Sequence, residues 1–352
     1  MKPVLFITGH IPASRRSAFA ALAQRVPLEL ALYGGPHQHG APPGPPPAGV
    51  RTVAVSQRAI GRLIASGDYG AIIAGTGGRV ALPLAWHAAR ARGVPFIFWA
   101  ALWRTPRIAA HAVAMPLMRR IYRESAAIVT YGAHVSAYVA AKGATRIFVA
   151  PQAVDNAFWS APIEVGREER FCALFVGRAE RAKGLRVLLA AWQSAGFAPE
   201  QASLVLAGEH TTSLPGVTLA GQIDAQALRN LYGRSHVLVV PSIRTRRFIE
   251  PWGLVVNEAM NRGCAIIASD AVGAAAGGLV QHGRNGLVVH SGESAPLAEA
   301  LRSLAADRER CAALGRQGHE DVAGYTYEAW AEGFVAALEA VSRGAQAGSV
   351  SL

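Results

Sequence analysis

The sequence predicts an α/β protein with two Rossmann-like domains, each built on an open parallel sheet, and three observations lead to this prediction. Short apolar runs alternate with segments of helical spacing along the whole chain. The runs are continuous rather than interrupted by polar residues, as strands buried on both faces require. The chain has 352 residues, which is enough for two domains with their own cores. Ligands of such sheets bind at the carboxyl ends of the strands, so the segments that follow the strands hold the candidate sites.

The apolar runs give six strands in the first half of the chain and five in the second. The predicted strands of the first half cover residues 4–8, 28–33, 71–74, 96–99, 127–130 and 147–150. Those of the second half cover residues 173–176, 204–207, 237–240, 265–268 and 287–290. Helical spacing is clearest at residues 82–92, 109–125 and 185–192.

Two interruptions divide this pattern. Residues 35–49 are rich in Pro, Gly and His and are expected to form a surface loop without a core. Around residues 155–170, Pro162 and a charged run break the alternation. We therefore predict a first domain over residues 1–158 and a second over residues 159–325.

The composition is that of a globular protein, with 51% apolar and 16% charged residues. No uninterrupted apolar run reaches the length of about 18 residues that a membrane-spanning helix needs. The apolar run near the first residue is too short for the core of a signal peptide. Cys172, Cys264 and Cys311 are scattered without CxxC spacing, so they indicate neither a disulfide framework nor a zinc site. We expect a cytoplasmic protein.

The net charge of +12 comes entirely from the first half of the chain. Residues 1–160 contain 17 Lys+Arg and 4 Asp+Glu, whereas residues 161–352 contain 18 and 19. Such an imbalance favours an anionic partner for the first half: a phospholipid surface, a pyrophosphate-linked acceptor or nucleic acid. The alternative is that an Arg- and Ala-rich composition makes the chain basic without a functional cause. Such an effect should, however, raise the net charge of both halves alike.

The first motif of the second half follows the predicted strand at 173–176. Gly177 and Arg178 end that strand, and Lys183 with Gly184 precedes the helix at 185–192. A glycine at a strand's end lets the backbone approach a ligand, while a guanidinium and an ammonium nearby can hold a diphosphate. An ordinary loop with solvated cations is the alternative interpretation.

The second motif is an apolar segment that contains two glutamates eight positions apart, Glu250 and Glu258. The segment predicts a helix that begins near Gly253, whose first amides and positive dipole end suit a diphosphate without a metal. Two carboxylates at this spacing can accept hydrogen bonds from sugar hydroxyls, and a ribose and a transferred hexose are the natural pair. Two surface glutamates on an amphipathic helix would not explain the apolar flanks.

Together these motifs resemble the GT-B retaining glycosyltransferases of family 4, the glycosyl transferases group 1. The resemblance covers nearly all of residues 171–325 and rests on four elements in order. They are Gly177–Arg178 with Lys183–Gly184, Glu250 to Glu258, residues 263–269, and the Asn-Gly turn within 282–289. In the first half only the strand–helix layout and the segment 151–155 are similar to the family.

The resemblance implies a fold, a reaction and a set of roles. The fold is two Rossmann-like domains facing across a cleft, with a last helix at 326–342 that returns to the first domain; residues 343–352 are expected to be a disordered tail. The reaction moves a hexose from a nucleoside diphosphate sugar to a glycan or lipid-linked acceptor with retention, by front-face attack in which the leaving phosphate takes the acceptor's proton. The roles implied are catalysis and diphosphate binding by Arg178 and Lys183, catalysis and contact with the donor sugar by Glu250, ribose binding by Glu258, and donor binding by Gly177 and the amides of Gly253, Leu254 and Val255.

In the first half the resemblance carries over only two residues. Gly9 follows the first strand, where the family's loop approaches the donor phosphate, although Pro12 and Ala13 replace the usual second glycine. His111 lies where family members often have a histidine that contacts the donor sugar; a packed or solvated histidine is the alternative. Residues 115–123 mix apolar and cationic residues at helical spacing, which suits either anionic lipid headgroups or an internal helix with one solvated face.

The remaining predictions concern cofactors and competing functions. The sequence contains no Asp-x-Asp triplet, so we predict no metal and no other cofactor. The predicted partners are a nucleotide sugar, a glycan or lipid-linked acceptor and an anionic membrane surface, with no nucleic acid. We further expect a role in cell envelope polysaccharide biosynthesis and peripheral attachment to the inner face of the cell membrane. A non-catalytic nucleotide-sugar-binding relative stays open. An NAD-dependent oxidoreductase is disfavoured, because the first strand is not followed by GxGxxG.

Overall fold

The computed structural model describes residues 2–34, 45–78 and 80–349. The chain forms two units: the first contains the residues up to Ala153 together with those from Thr326 onward, and the second contains Val154–Tyr325. The predicted boundary between residues 158 and 159 lies five residues later than the boundary between these units. The difference arises because a short helix, Asn156–Ser160, belongs to the second unit.

The first unit is built on a seven-stranded parallel sheet with the strand order β3-β2-β1-β4-β5-β6-β7. Its strands are β1 Val4–Thr8, β2 Leu28–Leu32, β3 Arg51–Ala54, β4 Ala71–Gly75, β5 Phe96–Ala100, β6 Ala127–Thr130 and β7 Ile147–Val149. Its helices before the second unit are α1 Arg16–Ala23, α2 Ile60–Ser66, α3 Ala81–Ala91, α4 Ala109–Glu124 and α5 Ala133–Ala140, with short 3-10 turns at Ala13–Arg15 and Gln57–Ala59.

The second unit contains a six-stranded parallel sheet with the order β10-β9-β8-β11-β12-β13. Its strands are β8 Phe171–Val176, β9 Ala202–Ala207, β10 Val217–Gly221, β11 Val237–Val240, β12 Ala265–Ser269 and β13 Gly286–Val289. Its helices are α6 Asn156–Ser160, α7 Leu185–Ala195, α8 Ala225–Arg234, α9 Val255–Asn261, α10 Gly273–Ala276, α11 Ser294–Ala306 and α12 Arg308–Val322, with a 3-10 turn at Arg181–Lys183. The last helix, α13 Tyr327–Ser349, returns to the first unit.

The central strands are buried on both faces, as their continuous apolar sequences predict. In β1 the side chains alternate between two cores, so that Phe6 packs with α1 and α13 on one face and Leu5 with α2 and α3 on the other. In the second unit Phe175 and Leu206 lie in one core with residues of α7 and α11. Burial of aliphatic and aromatic surface on both faces stabilises the two sheets.

Three sequence predictions need correction or completion here. β3 and β10 were not predicted, because both are partly exposed edge strands without a continuous apolar run. α13 continues to Ser349, so residues 343–349 extend the predicted helix instead of belonging to a disordered tail. Residues 350–352 of that tail and residues 35–44 of the predicted loop lie outside the described residues. Within the described ranges, no helix is both long and apolar enough to cross a membrane.

Candidate active site

The first predicted cation, Arg178, follows β8 at the carboxyl edge of the second sheet. Its Nη1 lies 2.8 Å from Oε1 of Glu180, and both side chains are about half exposed. Gly177, just before it, is anchored by its amide, which donates to Ala207 at the end of β9. An exposed guanidinium at this edge is accessible to an anionic ligand. Such a ligand competes with Glu180 for the guanidinium of Arg178.

Lys183 is positioned by a glycine that no other residue can replace without strain. Gly184 has a φ of +75° and ends the turn Arg181–Lys183 where α7 begins. A Cβ atom at this position would lie 1.8 Å from the carbonyl oxygen of Pro241, directly after β11. The close approach that glycine permits therefore fixes the start of α7 against the neighbouring strand's end.

This arrangement brings together Lys183 and Glu250, which are 67 positions apart in the sequence. Lys183 Nζ lies 2.5 Å from Glu250 Oε2, and Ser242 Oγ lies 3.5 Å from the same oxygen. Glu250 is 7% exposed. Its backbone is held by a β-bridge to Val272 and by the amide of Gly273, which donates to the Glu250 carbonyl at 3.1 Å. A buried carboxylate and an ammonium are therefore fixed side by side at the edge of the sheet.

The helix predicted near Gly253 begins two residues later, at Val255, with Leu254 as its N-cap. Gly253 has a φ of +92°, a conformation that glycine adopts without strain. The first intrahelical donors are the amides of Val256 and Glu258, which bond to the carbonyls of Gly253 and Leu254. The amides of Gly253, Leu254 and Val255 precede these bonds and so have no partner within the helix. The structure thus places all three predicted amide donors at the start of α9.

The second glutamate of the motif, Glu258, lies on the first turn of α9. Its Oε2 accepts a hydrogen bond of 2.8 Å from the hydroxyl of Tyr232, a fully buried residue of α8. Burial raises the pKa of Glu258 to about 7, against a smaller lowering by the Tyr232 hydrogen bond. The same burial, together with Glu258, raises the pKa of Tyr232 well above its ordinary value. Glu258 therefore changes its charge near neutral pH. Sequence reasoning missed Tyr232, because a tyrosine in an amphipathic helix carries no signal of this contact.

The Asn-Gly turn at 282–289 has a structural role. The side-chain amide of buried Asn285 donates to the carbonyl of Leu279 and to Asp321 Oδ2, both at 2.8 Å, and its oxygen accepts the amide of Gln281. Arg284 makes two further bonds to Asp321, of 3.0 and 2.6 Å. The Arg284 hydrogen bond lowers the pKa of Asp321. The turn is thus tied to α12, and Asp321 is a second residue that sequence reasoning missed.

In the first unit the predicted residues Gly9 and His111 belong to different elements, the loop after β1 and the helix α4. Gly9 follows β1, and a Cβ atom there would meet the Gly34 carbonyl oxygen at 3.3 Å and the ring of Tyr33 at 3.4 Å. Gly9 thus allows the loop after β1 to pack beside the end of β2. His111 is partly exposed and lies near the start of α4, where its amide donates to the carbonyl of Ile108.

A third unpredicted residue, Arg15, lies near the carboxyl ends of the strands of the first sheet. Its guanidinium stands over the rings of Trp99 and Tyr131, at 5.2 and 5.9 Å from their centroids, and donates to Gln152 Oε1. Burial lowers the pKa of Arg15. Two aromatic faces stabilise the cation here. Arg15 was within the segment that follows β1, but its type alone did not distinguish it from the arginine beside it.

Comparison with known sequences identifies the part of the chain that holds the four motifs. Residues 160–321 match the family described as "Glycosyl transferases group 1". The match covers 162 of the 352 residues, and over this range the chain is similar to that family. Arg178, Lys183, Glu250 and Glu258 all lie within the matched residues.

Two curated relatives are similar to this chain over about half of its length. One is the alpha-maltose-1-phosphate synthase of Mycolicibacterium smegmatis, 32% identical over 50% of this chain and 51% of that protein. Another is the D-inositol 3-phosphate glycosyltransferase of Nocardia farcinica, 31% identical over 49% of this chain and 37% of that protein. The matched region of this chain thus spans about half or less of the length of these relatives.

Solved structures are similar over almost the whole chain and show that the fold is GT-B. The complex of Anabaena HepE with UDP has a TM-score of 0.75 at 15% identity and covers 96% of this chain and 100% of that one. The sucrose-phosphate synthase of Thermosynechococcus elongatus has a TM-score of 0.73 at 20% identity, covering 99% and 100%. The predicted pair of Rossmann-like folds is confirmed by these likenesses and by the two parallel sheets.

Proposed function

We propose that this protein is a retaining glycosyltransferase that moves a hexose from a nucleoside diphosphate sugar to a glycan or lipid-linked acceptor. The observation that carries the proposal is the Lys183–Glu250 pair, 2.5 Å apart, at the carboxyl edge of the second sheet. A nucleotide sugar needs cationic groups for its diphosphate and acceptor atoms for its hydroxyls. The same edge supplies both, with the start of α9 and Glu258 following Glu250 in the chain.

In the proposed reaction the residues of the second unit stabilise the leaving group. The bond from the anomeric carbon to the phosphate oxygen breaks, and a bond to the acceptor's hydroxyl oxygen forms on the same face of the sugar. The acceptor's proton passes to the departing phosphate oxygen. Charge develops on the nucleoside diphosphate, where Arg178, Lys183 and the first amides of α9 are positioned to bind it. The proposal needs no metal, because these preorganised donors supply the positive charge.

Glu250 has two roles in this proposal, and the first of them follows from its contact with Lys183. A carboxylate that accepts a hydrogen bond from the Lys183 ammonium fixes the position of that cation, and carboxylate oxygens can also accept hydrogen bonds from hydroxyls of the donor sugar. Glu258 accepts hydrogen bonds from the ribose, and Tyr232 orients it by the bond described above. His111 and Gly9 remain proposed contacts of the donor on the side of the first unit.

The donor and the place of action are further parts of the proposal. UDP-glucose is the first donor to test, because HepE, which has a similar fold, has been crystallised with UDP and with UDP-glucose. We place the protein on an anionic membrane surface on the cytoplasmic side, in the assembly of cell envelope polysaccharide. The exposed apolar residues of α4 support this location, since Val113 is 83% and Leu117 40% exposed, and the same helix carries the exposed basic residue Arg119.

The test measures UDP-glucose binding and UDP release in matched variants. Lys183→Ala should lower both the affinity for UDP and the rate of transfer, the latter by about 100-fold or more. Glu250→Gln should also lower transfer, but it should strengthen the binding of UDP alone, because the neighbouring ammonium is no longer neutralised. Arg186→Gln, an exposed change on α7, is the control and should alter neither.

Two outcomes would contradict the proposal. Full transfer by a folded Lys183→Ala protein would show that this edge does not bind the leaving group. Tight binding of UDP-glucose without any release of UDP, over a panel of acceptors, would favour the non-catalytic nucleotide-sugar-binding protein instead.

A further inference from the structure

A cavity in the first unit lies outside the site described above. It has a volume of about 490 Å³ and is bounded by the segment 104–108, which precedes α4, and by Ala112 and Met115 on α4. Two arginines, Arg104 and Arg107, line it together with the apolar side chains of Ile108 and Met115. Its wall is thus cationic on one part and apolar on another.

The segment that forms this wall is anchored to α5 at two points. The hydroxyl groups of Thr105 and Tyr138 lie 2.8 Å apart in a hydrogen bond. The ring of Trp103 meets His134 edge-on, with centroids 5.2 Å apart. These contacts hold the backbone on either side of Arg104, so the cavity belongs to the folded structure of the first unit.

The charge of this wall is not compensated within the first unit. Up to Ala153 the sequence contains three acidic residues, Glu29, Asp68 and Glu124. Each of the three forms an ion pair with a lysine or arginine that does not line the cavity. In the part of the chain that the structure describes, the ion pairs that involve α13 include neither Arg104 nor Arg107. Among the described residues, neither of the two arginines that line the cavity forms an ion pair with a carboxylate.

We propose that this cavity binds a phosphate group carried by the acceptor substrate. Guanidinium groups donate pairs of hydrogen bonds in a fork that fits phosphate oxygens, and two of them balance the charge of a phosphate ester or diphosphate. The first amides of α4, a helix of 16 residues without a side-chain cap, add donors at the same end. Ile108 and Met115 then contact the apolar part of the molecule that carries the phosphate.

The proposal rests on the proposed transfer reaction, and it restricts the possible acceptors to molecules that carry a phosphate group. The phosphate can belong to a sugar phosphate in solution or to a lipid-linked carrier. Both offer the same anionic oxygens to the arginines, so the experiment needs one arm for each source.

The test compares the wild type with a double variant, Arg104→Gln with Arg107→Gln, in the full chain. The control is Arg62→Gln, which removes one exposed charge on α2. Calorimetry measures the binding of inorganic phosphate while excess UDP occupies the donor site. Flotation measures binding to vesicles of phosphatidylglycerol and phosphatidylcholine, with phosphatidylcholine alone as reference. Circular dichroism melting checks that the variants are folded.

We expect the double variant to lose about tenfold or more in affinity in at least one arm, because it removes hydrogen bonds to charged groups. A loss for inorganic phosphate indicates a site that accepts free phosphate esters, and a loss for anionic vesicles alone indicates a lipid-borne phosphate. Equal binding by the double variant and Arg62→Gln in both arms overturns the proposal. UDP titration of the same proteins is independent of this result, so failure of UDP to bind the wild type contradicts the donor site and not the cavity.

Discussion

Replacing Glu258 with glutamine should change the stability of the protein in a pH-dependent way. Burial raises the pKa of this carboxyl from 4.5 to about 7 in the folded protein. Between these two values the folded state binds more protons than the unfolded state, so the free energy of unfolding falls as the pH rises. At about 1.4 kcal/mol per pKa unit, the stability lost well above pH 7 is up to about 3 kcal/mol. Glutamine has the same shape and cannot ionise, so the variant escapes this loss.

Urea unfolding of both proteins at pH 5 and pH 8.5, followed by circular dichroism, measures the effect. We expect similar stabilities at pH 5 and a more stable Glu258→Gln protein at pH 8.5. Glu200→Gln, at an exposed position just before β9, is the control and should follow the wild type at both pH values. A difference between wild type and Glu258→Gln that is the same at both pH values would refute the reasoning.

Tyr232→Phe tests the same carboxyl from its partner's side. The tyrosine hydroxyl donates to Glu258 and lowers its pKa, so its removal should raise that pKa further. The loss of stability with rising pH should then begin at the same pH as in the wild type but continue to a higher pH. If the loss ends at a lower pH instead, the hydrogen bond does not favour the ionised form.

Three further predictions follow from single contacts. Gly184→Ala should destabilise the protein by more than about 2 kcal/mol and lower UDP affinity, since the added Cβ meets the Pro241 carbonyl oxygen; unchanged urea unfolding would contradict this. Asp321→Ala should cost about 1–3 kcal/mol in the same measurement, because it leaves the buried side-chain amide of Asn285 with one partner fewer; a neutral effect would show that the turn before β13 is not held by α12. Val113→Glu should weaken flotation with anionic vesicles without changing UDP affinity, because a charge replaces an apolar side chain that is 83% exposed; equal flotation would exclude this face of α4 from the membrane contact.

The strands that could be predicted from the sequence are those that both faces of a sheet bury. β1 and β12 are apolar up to their last residues, Thr8 and Ser269, and a continuous run of this kind is typical of a strand that is buried on both faces. β3, with the sequence Arg-Thr-Val-Ala, and β10 lie at the sheet edges, where one side of the strand needs no partner and polar residues are tolerated. Their pairing is decided by the neighbouring strand and not by their own composition.

The same distinction separates the predicted from the unpredicted residues of the candidate site. Lys183 and Glu250 were found because each stands in a local motif, but their ion pair depends on Gly184 and on the end of β11, which no local pattern contains. Tyr232 lies 26 positions from Glu258 and contacts it only because α8 packs against α9. A local motif can therefore identify a candidate ligand-binding residue. The neighbour that sets the protonation state of this residue, however, is determined by the fold. For Glu258 that neighbour and its burial determine whether the group is a carboxylate or an acid at neutral pH, and hence which hydrogen bonds it can offer to the ribose of the proposed donor.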